Sequence, residues 1–304
     1  MPVEFGIALF PGPEKGRPPS TYVTDLEALL PRYAPYIKGL WMTDHFFWPD
    51  ANTYEAWTVM AFLAAHFRDY QIGPMVLGQS YRNPALLALA AATLQHLSGG
   101  RFIMGIGAGW KEDEYRAYGY DYPRPGIRIE QLEDTIEIMR RLWTQPGAVT
   151  YHGKHYHIEN AYCEPKPDPV PALIVGGGGE KTMMLAARFA DWWNIPDAPI
   201  ERYADRLGIL RQHCHTIQRD YASIRKTWFG RIAVARTEAE AEALSSGKWT
   251  RRNAICGDVA GVIAQLRAFI DLGVDYFMVE IQGQNRDDVR AMLTQEVFPA
   301  VGVD

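Results

Sequence analysis

Asp44 and His45 stand side by side at the end of a short apolar run, Gly39 to Thr43, and lead into Phe46, Phe47 and Trp48. An imidazole exchanges a proton near neutral pH, and a carboxylate next to it can tune or orient it. The same pair would also serve as a turn cap beside a packed histidine. A second candidate is Gly176, Gly177, Gly178 and Gly179, between an apolar run (ALIV) and a helical pattern (EKTMMLAARFA). Bare backbone N–H groups at a helix N-terminus suit an anion, and Lys181 and Thr182 in the first turn add a cation and a hydroxyl. A flexible glycine turn is the plainer alternative. Gly105, Gly107 and Gly109 would let a flat ligand approach the backbone, since no Cβ intervenes. As a dinucleotide fingerprint they fail, because the spacing is G-x-G-x-G and no acidic residue ends a following strand. Met75 and Val76 fall where a bulge would re-aim the chain toward a ligand. Trp48 and Trp110 sit where they could wall a planar pocket.

Other residues carry less. His152, His155 and His157 lie on an expected hairpin, and His213 and His215 on a helix, where i, i+2 spacing points them apart. No carboxylate or cysteine completes a metal set, so no metal is expected and a metal-dependent hydrolase has no ligands. There is no G-x-S-x-G elbow, Walker A motif or CxxC.

Elements that must position these groups repeat one rhythm. Residues 70–110 hold a complete β–α–β unit. Gln71 to Leu77 is a strand, and Asn83–Pro84 opens a helix on which Leu86, Leu87, Leu89, Ala90, Leu94 and Leu97 recur at helical spacing. Ser98–Gly99–Gly100 closes that helix, and Arg101 to Gly107 is the next strand, parallel to the first. Strands are also expected at Val3–Phe10, Gly39–Thr43, Ala172–Val175, Asp191–Ile195, Phe229–Ala235 and Tyr276–Ile281, each followed by a helix. The helix from Thr21 to Ile37 must break or kink at Pro31 and Pro35. Residues 145–170 interrupt the rhythm with a hairpin (VTYHGKHYHI) and a proline-rich stretch. Eight strand–helix units argue a closed TIM (β/α)8 barrel with an insertion before strand five, in one domain over residues 1–304. A doubly wound open sheet is the rival, but it usually stops at fewer strands. In such a barrel the C-terminal strand ends carry the chemistry, which is where the candidates above fall.

With 304 residues, 47% of them hydrophobic, the chain can bury a large core. Its net charge of -5 offers no basic field for nucleic acid. Three separated cysteines fit free thiols in a reducing compartment. No apolar run reaches about 18 residues and no signal peptide opens the chain, so a cytoplasmic protein with no membrane partner is expected.

The motifs DHF after strand two, RNPALLALAAATLQHLSGGRFIMGIGAGW, GKHYHIENAYCEPKP and IVGGGGEKTMMLAARFADWWN together resemble the bacterial luciferase-like superfamily, closest to its coenzyme F-420-dependent oxidoreductases. The resemblance is specific from about residue 3 to 200 and looser through CGDVAGVIAQLRAFIDLGVDYFMV. It implies a TIM-like barrel that binds the deazaflavin coenzyme F-420, with FMN and two-component monooxygenase chemistry as the alternative. It implies hydride transfer between the deazaflavin C5 and a small organic substrate. His45 would manage the proton, paired with Asp44, and a non-prolyl cis peptide near Met75–Val76 would back the ring. Gly176–Gly179 would lie near the coenzyme phosphate, and relatives are often homodimers. The family's sugar-phosphate dehydrogenases place a Glu directly after the strand-four glycines, where this chain has Trp110, which argues against sugar-phosphate oxidation. A non-catalytic flavin-binding protein would need no proton-handling residue there, so Asp44–His45 counts against it. The loops at 11–20 and 110–125 are long enough to act as lids.

Overall fold

A computed structural model describes residues 2–34 and 36–302; Pro35, one of the two expected kink positions, lies outside them. In chain order the first elements are β1 (Glu4–Ala8), α1 (Thr21–Leu29), β2 (Ile37–Met42), α2 (Ala56–His66), β3 (Gln71–Pro74), β4 (Leu77–Gly78), α3 (Pro84–Leu97) and β5 (Met104–Gly107). Next come α4 (Glu112–Ala117), α5 (Pro125–Thr144), the hairpin β6 (Val149–His152) and β7 (His157–Ala161), β8 (Leu173–Gly176), α6 (Glu180–Phe189), β9 (Trp192–Pro196) and α7 (Ile200–Thr216). The chain ends through β10 (Arg225–Ala235), α8 (Glu238–Ala243), β11 (Ile255–Asp258), α9 (Val259–Asp271), β12 (Val274–Ile281) and α10 (Asp287–Ala291).

The parallel sheet runs β3-β2-β1-β12-β10-β9-β8-β5-β4, with β11 added to β10. β3 and β4 are halves of one interrupted strand: β3 pairs with β2, and β4 with β5. A parallel bridge between Ile72 and Phe102 joins β3 to the approach to β5, so the ring closes as a (β/α)8 barrel. The hairpin stands apart from it, before β8, as the insertion expected there.

Local chemistry explains the helix bounds. The Asn83 side chain accepts the N–H groups of Ala85 and Leu86, Pro84 fills the first turn, and Gly99 and Gly100 take positive φ beyond the end of α3. The helix forms where expected, but its recurrent apolar positions do not share one face. Leu87, Ala88, Ala91, Ala92 and Leu94 face the core, whereas Leu86, Leu89 and Leu97 are exposed at 65%, 41% and 78%. The helix is apolar nearly all round, so periodicity did not single out one face. The segment before Pro31 also stops early as a helix: α1 ends at Leu29, and β2 begins at Ile37. The short β11 was not anticipated; its four residues, ICGD, follow polar RRN and carry too little apolar pattern.

Inside the barrel, Trp41, Ile103, Ile174, Trp192, Phe229, Tyr276 and Met278 form one cluster. Glycine makes room for it. A Cβ on Gly6 would lie 2.2 Å from the Trp41 indole nitrogen, and one on Gly39 2.6 Å from the Tyr276 hydroxyl. The floor is thus filled, and any ligand must enter from the C-terminal end. Among the described residues, no helix is long and apolar enough to cross a membrane.

Candidate active site

His45 follows the end of β2 and is held from one side. Its Nδ1 lies 3.2 and 3.1 Å from the two carboxylate oxygens of Glu114, on α4. Glu114 is fully buried and also accepts the backbone N–H groups of Phe46 (2.8 Å) and Phe47 (3.4 Å). Burial alone would raise this carboxyl, but the bonds from His45, Phe46 and Phe47 outweigh it and hold Glu114 below the usual glutamate value. An ionised carboxylate only accepts, so Nδ1 carries the proton and donates it. Nε2 is left as the ring nitrogen available to a ligand. Trp48 and Trp110 stand edge-on to the imidazole, with ring centroids at 4.7 and 5.5 Å, and both remain exposed. Lys111, nearly buried, lies 3.5 Å from Glu114 and packs its ammonium over the Phe47 ring at 4.0 Å.

Asp44 is engaged elsewhere. Its carboxylate accepts the Gly78 N–H at 3.0 Å and a two-pronged contact from Arg82 at 2.7 and 3.0 Å, and Arg82 continues to Glu55, the cap of α2. Asp44 therefore ties the end of β2 to β4, and the carboxylate on the imidazole comes from 69 residues further along the chain. Sequence reading missed Glu114 because three acidic residues, Glu112, Asp113 and Glu114, occur in a row. Only the docking of α4 decides which one turns inward.

On the other side of the strand-two end, the Met75–Val76 peptide between β3 and β4 is cis, at the position the resemblance indicated. The glycines of the neighbouring strands fit around it. A Cβ on Gly107 would meet the Val76 side chain at 2.8 Å, and one on Gly176 would meet it at 2.8 and 3.0 Å. Gly105 is closer still to the chain, its Cβ site 2.1 Å from the Pro74 carbonyl. These glycines thus receive the interrupted strand, and the result is a smooth wall of backbone and Val76 across strands three to five.

Gly177, Gly178 and Gly179 then lead into α6. Gly177 has φ +133°, and Gly179 caps the helix without any side chain covering its first N–H groups. Thr182 is buried beside Gly177, and Lys181 is exposed at the rim. Arg206, from α7, donates to the Gly178 carbonyl at 3.2 Å and adds a cation that the sequence alone did not flag. Open N–H groups with Lys181 and Arg206 suit a phosphate. A groove of about 550 Å³ opens beside the mouth, lined by Phe10, Lys15, Arg17, Asn52, Gln282 and Arg286 among others. It touches neither His45 nor the glycine loop and flanks the chemistry without containing it. The loop of residues 11–20 is stitched across it, Asn52 donating to the Pro13 carbonyl and the Tyr54 N–H to that of Pro11. Among the described residues, no group of three His, Cys, Asp or Glu side chains is arranged to hold a metal ion.

A closed parallel barrel thus carries at its C-terminal end a carboxylate-held histidine, a flat glycine wall and a helix start suited to an anion. The chain belongs to the luciferase-like monooxygenase family, whose pattern it matches over residues 37–252. It is 24% identical over 300 residues to the F420-dependent glucose-6-phosphate dehydrogenase of Amycolatopsis mediterranei, covering 86% of this chain and 90% of that protein. Its fold matches that of an F420-dependent secondary alcohol dehydrogenase in complex with an F420–acetone adduct, with a TM-score of 0.83, 20% identity and 99% of both chains covered. It also matches the oxygenating constituent of 3,6-diketocamphane monooxygenase from Pseudomonas putida in complex with FMN, with a TM-score of 0.77, 16% identity, and 98% of this chain and 99% of that one covered.

Proposed function

We propose that this protein is a coenzyme F-420-dependent oxidoreductase acting on a small organic substrate, with His45 as the group that gives or takes the proton. The observation that carries this reading is the Glu114–His45 pair: a buried, ionised carboxylate fixes Nδ1–H, and the imidazole stands between two exposed tryptophans at a strand end. A relative that spans most of the chain is F420-dependent, which supports the choice of coenzyme. Met75, Val76 and Gly107 would back the ring. Gly176 to Gly179, Lys181, Thr182 and Arg206 would face its phosphate. When bound, the deazaflavin supplies a carbon centre that exchanges a hydride. The chain's own part is to orient that ring against Val76, to hold the substrate against it, and to move one proton at Nε2 of His45. Glu114 stabilises the imidazolium that forms when His45 acts as a base. Trp48 and Trp110, edge-on to the imidazole, would wall the substrate side of the ring.

A second reading, an FMN-dependent two-component monooxygenase, draws on the fold shared with the FMN-bound camphane enzyme. Titration with F-420 and with FMN, followed by tryptophan fluorescence, separates the two. Low-micromolar F-420 binding with weak FMN binding is expected, and tight binding of FMN alone would replace the first reading by the second. The exposed apolar row of Phe62, Leu86, Leu89 and Leu97 on α2 and α3 supports a homodimer, which sedimentation would test.

A further inference from the structure

The mouth of the barrel has a second polar cluster, on the strands that the reading above leaves unused. Along β12, Tyr276 and Met278 point into the barrel, so Glu280 points the same way one layer nearer the mouth. On β10, Phe229 points inward and Arg231, in register with Glu280, follows it. Arg231 makes an ion pair with Asp197, just past β9, and its Nε lies 3.2 Å from Glu280. The Trp249 ring covers the guanidinium at 4.4 Å.

Two features separate this cluster from a structural ion pair. Its charge does not balance, since one guanidinium faces two carboxylates. Its hydrogen bonding is also incomplete: among the described residues Asp197 Oδ1 is buried without a hydrogen-bond partner, and Arg231 Nε, though 3.2 Å from Glu280, is not aligned to donate to it. Buried polar atoms are nearly always satisfied, and exceptions concentrate where a ligand completes them. Asp197 is held there with φ +49°, a conformation that few non-glycine residues adopt. Burial raises the Glu280 carboxyl against the opposing pull of Arg231, so the wall resists taking on further negative charge.

We infer that Asp197, Arg231 and Glu280 bind the non-reacting part of the substrate, and that they select a neutral compound bearing a hydroxyl group. The hydroxyl donates to Asp197 Oδ1. A phosphate or carboxylate is refused, because the Arg231 guanidinium is already shared between two carboxylates. This inference rests on the barrel mouth being the redox site. It also makes this chain differ in substrate from its glucose-6-phosphate-oxidising relative, for a reason independent of Trp110.

The test uses the F-420-loaded protein and three compounds of one shape: cyclohexane-1,4-diol, cyclohexanol and 4-hydroxycyclohexanecarboxylate. Affinity is read by calorimetry and kcat/KM by reduction of the coenzyme, so binding is judged without turnover. The diol is expected to bind at least about tenfold better than cyclohexanol, the effect of one hydrogen bond to a charged group, and the carboxylate worst. Asp197→Gly tolerates the positive φ and removes the acceptor, so the diol should lose its advantage over cyclohexanol. Glu280→Gln should improve the carboxylate relative to the diol by about tenfold. Asp197→Asn keeps an acceptor with less charge, and should retain the preference for the diol while relaxing the rejection of the carboxylate. Unchanged ratios in folded variants would overturn the inference, as would wild-type protein that prefers the carboxylate or binds none of the three. Failure to bind F-420 at all would instead strike the proposed function, and the same calorimetry on the protein alone would still rank the three compounds.

Discussion

Glu114 and Glu280 are both withdrawn from solvent at the C-terminal end of the barrel, with side-chain exposures of 0% and 19%, and their carboxyls are shifted in opposite directions. Glu114 is the more buried, yet its carboxyl sits below the ordinary value. The imidazole and two backbone N–H groups supply more than the desolvation removes. Glu280 has the Gln282 amide and a guanidinium shared with Asp197, and burial wins. Donors aimed at a buried carboxyl can outweigh its desolvation, and where they are fewer the burial prevails. One half of the mouth, strands two to five, pairs a buried carboxylate with an imidazole beside a smooth wall. The other half, strands six to eight, is a polar wall whose hydrogen bonding is incomplete.

The contrast can be broken most severely at His45. His45→Ala should lower kcat by roughly 10²–10⁴-fold, the usual worth of a positioned acid–base group, while F-420 affinity stays close to that of the wild type. Equal loss of affinity and rate would make His45 a packing residue. Glu114→Gln comes next, with about a 10–100-fold fall in kcat. The loss should fall on kcat, with F-420 affinity close to that of the wild type, because Glu114 touches the imidazole Nδ1 and not the ring wall. An unchanged kcat would mean that Glu114 only supports the turn.

The wall itself is tested by Gly176→Ala, which sets a methyl against Val76 and should cost about 1–3 kcal/mol and weaken F-420 binding. Adding Val76→Ala should recover part of both losses; no recovery would dissociate the glycine from the interrupted strand. The smallest effect is expected on stability against pH. The depressed Glu114 contributes stability that is full above the ordinary value of 4.5 and is lost as pH falls below it toward the folded value. The raised Glu280 does the reverse, and stability declines as pH rises from 4.5 through its folded value. Urea unfolding across this range should show Glu280→Gln gaining on the wild type as pH rises, and Glu114→Gln gaining nothing.

The order of strands and helices was legible in the sequence because each barrel unit is local: a strand, a short loop and a capped helix lie within a few dozen residues. The Asn83–Pro84 start of α3, the hairpin insertion and the place of His45 at a strand end all follow from that local code. The same locality explains what was misread. The four residues of β11 are strand only because β10 extends beyond the ring to pair with them. Leu86, Leu89 and Leu97 match the periodicity of core residues but were turned outward by how α3 docks.

The sequence by itself determined a parallel barrel, its insertion, and a histidine and a glycine loop at its mouth, since residue type and short-range spacing suffice for these. Only the tertiary structure decided that Glu114 holds His45 while Asp44 is tied up by Arg82. It alone showed that Gly107 and Gly176 are small in order to receive Val76, and that Arg231 stands between two carboxylates from other strands. Those pairings join residues far apart in the chain, and closure of the barrel is what brings them within hydrogen-bond reach.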